Sequence, residues 1–473
     1  MLDFTGFEKI SDFLYFFENV SSIPRGSGNC EGIAKYLVSF AKERGLYYMR
    51  DSANNVIIKK AATKGYEDHA PIILQAHTDM VIAVEDGFGS DIHTNGVTLV
   101  RDGDFLHADG TTLGGDDGIG VAYILAILNS DTISHPAIEA LFTADEEIGL
   151  IGADMLDFSK LRSKRMINLD IDHEGLFVVG CAGGRRADVT LPITCGESVS
   201  SCYSINLFGL AGGHSGGDID KGRVNALIAL ADCLKKIDNV RLVSFSGGDA
   251  GNAIPRSASA RFVTDMDESE LCEIITSHFK TYEEAEKELD FRFSEITGEM
   301  YAFCTEESKN ALDLIINLPC GVVEHEEAFP TRVKTSLSLG IAALENGALT
   351  LTYELRSSSD LSKEALARAL ENMATSRGAS IEFSKDYPGW EYTGESELIS
   401  TMRKTYVDMY GDEPNVITIH AGLECGIFSD EIEGLECVAM GPDNYNIHTT
   451  AECAFLPSVE RVFDYLKKVL ESL

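Results

Sequence analysis

The 473-residue chain is long enough for more than one domain, and its 44% hydrophobic and 24% charged residues describe an ordinary globular protein. A net charge of −37 argues against nucleic acid or an anionic membrane as partner, because both need a basic surface, and it favours cations. No apolar run is long enough to span a bilayer, the N-terminus MLDFTGFEKI lacks a basic signal region, and none of the eleven cysteines forms a CxxC pair; the expected location is the reduced cytoplasm.

In chain order, an amphipathic helix is predicted from about Phe7 to Asn19, followed by the loop SSIPRGSGN and a helix over Cys30 to Arg44. Asn55 to Lys59 and Ile72 to Gln75 read as strands, and TTLGGDDGIG opens a helix with the body VAYILAILNS. Ala137 to Thr143 and Arg165 to Ile171 are further apolar strands. After Gly183-Gly184 the pattern changes to alternating strands (Ala187 to Thr194, Cys202 to Phe208, Leu349 to Leu355) among helices, one of them a charged helix near Ser269 to Glu288. Helix, strand and C-terminal helix return after Asp386. The expected fold is α/β with two domains: a catalytic domain with a mixed sheet flanked by helices, in segments 1–184 and 386–473, and an inserted α+β domain over 185–385.

Acidic and histidine residues gather where elements end. PIILQAHTD closes a strand with His77 and Asp79, which alone is equally a core strand with a polar turn. Asp116-Asp117 occupies a glycine-rich helix start, where two carboxylates would repel a phosphate but suit a cation; helix capping by one Asp is the simpler alternative. Asp145-Glu146-Glu147 follows a buried strand directly, a repulsive cluster unless solvated or bound to a cation. Asp170 and Asp172 leave another strand, and His448 follows the last one. Oxygen and imidazole donors without thiolate suit zinc, cobalt or manganese in a hydrolytic site, and the number of carboxylates suits two metals sharing one of them. No GxSxG elbow competes.

HTDM, LGGDDGIG, TADEEIG, NLDID and a late IH resemble the M20 family of co-catalytic metallopeptidases. IPRGSGN, GLAGGHSGGDI, GRVNA, GNAIPR, YELRSS and HAGLECG are similar to its aminoacyl-histidine dipeptidase branch. The resemblance implies hydrolysis of unblocked dipeptides, Xaa-His among them, with two divalent ions, zinc first and cobalt or manganese as alternatives. It implies one metal on His77, Asp116 and Asp170, and a second on the bridging Asp116 with Glu147 and His448. Asp79 would orient His77, and Glu146 would be the general base acting on a water between the metals. The inserted domain would be a lid that also carries a homodimer contact, with His214 donating to the oxyanion and Asn252, Arg356 and His420 meeting the substrate. Asp117, His173, Asp220 and NIHTTAE depart from the branch pattern without removing a ligand. A tripeptidase, an N-acyl amino acid amidohydrolase and a catalytically silent metal-binding protein are the alternatives.

Overall fold

The computed structural model describes residues 4–89 and 91–473. The chain divides into two compact units. One takes the residues through Gly180 together with Tyr392–Thr418 and Leu423–Leu473; the other takes Cys181–Glu391 and Ile419–Gly422.

The first unit is built on an eight-stranded mixed sheet. Its strands run in the order Tyr47–Arg50, Val56–Lys60, Ile138–Thr143, Ile72–His77, Arg165–Asn168, Glu436–Ala439, Leu176–Cys181, Asn415–Ile419. The four middle strands from Ile138–Thr143 to Glu436–Ala439 are mutually parallel. Parallel strands covered on both faces read as unbroken apolar runs, which is why IEALFT and IILQAH are buried at every position. Their C-terminal ends consequently point the same way, the side on which open α/β sheets collect ligands. Helix Gly115–Asn129 is buried from Asp117 through Leu128, as an all-apolar helix must be. Tyr123 on it packs between Phe13, at 4.9 Å between ring centroids, and Phe463 of the C-terminal helix Leu456–Ser472, at 5.2 Å.

The second unit is a nine-stranded antiparallel sheet with helices. Eight strands follow the order Asp290–Phe303, Gly196–Phe208, Ala258–Val263, Arg241–Gly247, Val333–Glu345, Ala348–Ser357, Gly183–Pro192, Ser380–Tyr387, and Gly321–His325 pairs with Val333–Glu345. Leu227, Leu230 and Leu234 of helix Ala226–Lys235 join Leu271, Leu312 and Leu370 of three other helices in the core over this sheet.

Two local expectations are corrected. The charged helix predicted to reach Glu288 ends at Phe279, followed by the short turn Lys280–Tyr282. Beyond it Glu286 turns inward and its carboxylate accepts the backbone N–H groups of Ala211 (2.7 Å) and Val224 (3.1 Å), bonds that a continuing solvent-facing helix would not make. The long strand Val333–Glu345 was not expected: Ser336 and Ser338 occupy buried positions and interrupt its apolar pattern. Among the described residues no helix is long and apolar enough to cross a membrane.

Candidate active site

The sheet ends place the charged residues. His77 is the last residue of its strand, Asp145-Glu146-Glu147 leave the neighbouring strand, and Asp170 leaves the strand on the other side. Asp116 and Asp117 begin helix Gly115–Asn129, and the peptide bond between them is cis. His448 arrives from the segment before the C-terminal helix.

Asp116 lies at the centre. Its Oδ1 is 2.8 Å from His77 Nε2 and its Oδ2 is 3.1 Å from His448 Nε2, so each carboxylate oxygen faces a different imidazole. His77 Nε2 is also 3.6 Å from Asp170 Oδ1, and His448 Nε2 is 3.0 Å from Glu147 Oε1. Two donor sets result, His77 with Asp116 and Asp170, and Asp116 with Glu147 and His448, each with its donor atoms within 4.8 Å of one another. His77, Glu146 and Glu147 form a third such group.

Electrostatics follow from this crowding. Burial, with Asp116 nearby, pushes the Asp170 carboxyl up to about 7. Burial also opposes ionisation of Asp116, but His448 and His77 on its two oxygens hold it well below the usual carboxylate range. His448 is pushed up to about 10 by its contacts with Asp116 and Glu147. The imidazolium charges thus offset the carboxylates. Divalent cations fit the same donors: nitrogen and carboxylate oxygen with no thiolate, in two sets that share one carboxylate, is a donor chemistry suited to a pair of hydrolytic metal ions. Metal binding would release the protons that now perform this compensation.

Asp79 is buried behind His77, with Oδ1 3.5 Å from His77 Nδ1. The same carboxylate accepts the backbone N–H groups of Glu146 (2.9 Å) and Glu147 (3.3 Å) and the Ser27 hydroxyl (2.8 Å). Asp145 turns the other way. Its Oδ1 accepts from Gly28 N at 2.6 Å and from the Cys30 thiol at 3.2 Å, which leaves Glu146 and Glu147 as the acids on the site. Asp117 also points into backbone, accepting the N–H groups of His77 (3.2 Å) and Gly120 (3.0 Å). His173 and Asp220 are exposed, and neither His173 nor Asp172 belongs to a donor group among the described residues.

Three residues without an assigned role in the sequence support this arrangement. Glu452 accepts the backbone N–H groups of Gly114 (2.9 Å) and Gly115 (2.8 Å), and its Oε1 also accepts from Asn444 Nδ2 at 3.0 Å. Arg25, buried, donates to the carbonyls of Thr78 (3.1 Å), Asp79 (3.0 Å) and Gly114. Gly114 has φ +68°, and a Cβ there would lie 2.5 Å from the Arg25 guanidinium, so only glycine serves at this turn. Glu424 is buried behind the strand ends, bonded to Gln75 and Thr143, and burial raises it to about 8. Each sits inside a stretch singled out in the sequence (NIHTTAE, IPRGSGN, HAGLECG), the only signal that pointed to them.

The second unit gathers the remaining predicted residues. His214 pairs with Ala253 across a two-residue ladder, and Ser215 N donates to the Asn252 carbonyl at 2.9 Å. His214 Nδ1 accepts from the N–H groups of Gly217 (3.0 Å) and Gly216 (3.3 Å), so its proton resides on Nε2. Burial and the Arg356 charge lower His214 to about 4 and His420 to about 3, keeping both imidazoles neutral near pH 7. Arg356 is buried, donating to Ser215 Oγ (3.3 Å) and Tyr387 Oη (3.2 Å), and His420 Nε2 lies 2.7 Å from Ser336 Oγ. Gly216 keeps this cluster close, since a Cβ there would fall 2.0 Å from the His420 carbonyl oxygen and 3.2 Å from the Arg356 side chain.

Comparison with known proteins matches the family resemblance of the motifs. A family model described as peptidase family M20/M25/M40 matches residues 73–472. The chain is 32% identical over 472 residues to the cytosol non-specific dipeptidase of Escherichia coli K12, spanning 97% of this chain and 96% of that protein. The crystal structure of aminoacylhistidine dipeptidase from Vibrio alginolyticus shares 33% identity and a TM-score of 0.89, covering 100% of this chain and 98% of that one. Aminopeptidase PepT from Bacillus cereus, at 17% identity and a TM-score of 0.58 over 98% of both chains, shares the fold. By sequence and fold, the chain belongs to peptidase family M20/M25/M40.

Proposed function

We propose that the protein is a metallo-dipeptidase, hydrolysing the peptide bond of short unblocked dipeptides, Xaa-His among them, with two divalent ions, zinc first. The observation that carries this is Asp116, whose two oxygens each face a different histidine in two donor sets that share it. The dipeptidase names of two relatives about one third identical over nearly the whole chain support the substrate class.

His77, Asp116 and Asp170 would hold one ion, and Asp116, Glu147 and His448 the other. When bound, the ions supply Lewis acidity that polarises the scissile carbonyl and acidifies water. Glu146 takes the proton of the attacking water and returns it to the leaving amine, its backbone fixed by Asp79. Asp79 holds the His77 ring and so its donor direction. His214, neutral with its proton on Nε2, donates to the developing oxyanion. Arg356 and His420, with Asn252, hold the peptide's polar ends. The cytosolic relative supports a cytoplasmic location, and the sheet-edge strand Asp290–Phe303 supports a homodimer through the second unit.

Metal-free protein reloaded with zinc, cobalt or manganese, assayed on unblocked dipeptides, tripeptides and N-acyl amino acids, tests the assignment. Dipeptide hydrolysis abolished by chelation and restored by metal is expected. Preferential cleavage of tripeptides or acyl amino acids would overturn the substrate class.

A further inference from the structure

Immediately behind the acidic site, on the strands that lead into it, lies a polar cluster that performs none of the chemistry above. Gln75, Thr143, Asn168 and Glu424 are all fully buried. Gln75 stands opposite Asn168 on adjacent parallel strands, and Thr143 ends the strand that runs into Asp145-Glu146-Glu147. Buried polar groups are costly unless each finds a partner. Here the partners form one directed chain. Glu424 Oε2 accepts from Gln75 Nε2 at 2.6 Å and from Thr143 Oγ1 at 2.7 Å. Gln75 Oε1 accepts from Asn168 Nδ2 at 2.5 Å, and Asn168 Oδ1 accepts the backbone N–H of Asp170 at 3.2 Å.

Direction is the informative property. A carboxamide offers a donor at one end and an acceptor at the other, and only its partners decide which way it lies. Glu424 Oε2 accepts two bonds whether the group is ionised or carries a proton on Oε1, an oxygen with no hydrogen-bond partner. That forces Gln75 to present its NH2 to Glu424 and its carbonyl to Asn168. Asn168 must then answer with its own NH2, leaving its carbonyl for Asp170. Reversed, the chain would set an NH2 against the Asp170 N–H.

We propose that Glu424, Gln75 and Asn168 are positioning residues, a polarised relay that fixes the backbone at Asp170 and, through Thr143, the exit carrying Glu146 and Glu147, so that the donors are in place before metal arrives. This rests on Asp170 and Glu147 being metal ligands, as proposed above.

The test uses the full chain, stripped of metal and titrated with zinc against a chromogenic chelator, with kcat and KM measured separately and the metal-free melting temperature recorded. Gln75→Glu sets a carboxylate against Glu424 and should weaken zinc binding about tenfold or more, with kcat falling and KM little changed. Adding Glu424→Gln reverses the two bonds at Oε2: the new amide NH2 donates to position 75 and to the Thr143 hydroxyl, whose own proton turns to the neighbouring position-75 carboxylate, and that carboxylate still accepts from Asn168. The double variant should therefore recover to within about threefold of wild type, which loss of packing alone would not allow. Gln75→Glu with wild-type zinc affinity and turnover, or a double variant no better than Gln75→Glu, would overturn the relay. If Gln75→Glu does not fold, a folded double variant with near wild-type zinc affinity supports the relay, and an unfolded one overturns it. A wild-type chain that binds no zinc and cleaves no dipeptide overturns the metal-site assignment itself, and the relay's role with it.

Discussion

The Asp79 carboxylate accepts the backbone N–H of Glu146 at 2.9 Å, so the group that orients His77 also fixes the loop that carries the proposed base. Every partner on Asp79's oxygens other than the His77 ring is a donor: two backbone N–H groups and the Ser27 hydroxyl. Asp79→Asn must turn an NH2 toward one of them. Zinc affinity should fall about ten- to hundredfold, as for loss of other groups that hold a metal-binding histidine, and kcat/KM with it. A variant with wild-type zinc affinity would separate Asp79 from the metal site.

Glu146→Gln removes proton transfer while sparing the donors of both metal sets. Turnover should drop by about 10²- to 10⁴-fold, the usual contribution of a positioned acid or base, with zinc stoichiometry unchanged. Near wild-type turnover would remove Glu146 from the role of base.

Glu452 tests whether the glycine turn at Gly114 needs its carboxylate. Both oxygens accept backbone N–H groups, so Glu452→Gln places a donor against a donor in a buried site. A destabilisation of about 1–3 kcal/mol is expected, read as a lower denaturant midpoint at unchanged slope.

Acid stability depends on two half-buried histidines of the second unit. His214 and His420 are held at about 4 and about 3, below the value of about 6.5 that an unfolded chain gives them. As pH falls through about 6.5 the unfolded state takes protons first, so stability is full above that value and is lost progressively down to the folded values. His420→Gln, which keeps a polar side chain able to bond Ser336, should lose less stability between pH 7 and pH 5 than wild type does, measured by denaturant unfolding at each pH. An equal loss would mean that His420 is not neutral in the folded state.

Much of the site was legible because its residues stand at the ends of apolar runs. Ile72 to Leu74 and Ala140 to Phe142 announce buried strands, and an acid or histidine directly after such a strand has few reasons to be there. Roles fixed by distant partners were not legible. Glu452 bonds to Gly114 across 338 residues and Glu424 to Gln75 across 349, and either glutamate in isolation resembles solvated surface. Asp117 shows the same limit from the other side. It adjoins Asp116 in sequence, where the two carboxylates together suit a cation, yet its carboxyl turns to the N–H groups of His77 and Gly120. In the second unit, serines at buried positions concealed the strand Val333–Glu345 although its partner Ala348–Ser357 was plain.

The most direct test of the shared carboxylate is a zinc-soaked crystal measured at the zinc absorption edge. Two anomalous peaks are predicted on either side of Asp116, one against His77 and Asp170 and the other against Glu147 and His448, with both reduced in Asp116→Ala. A single peak, or two peaks that Asp116 does not separate, would contradict the account.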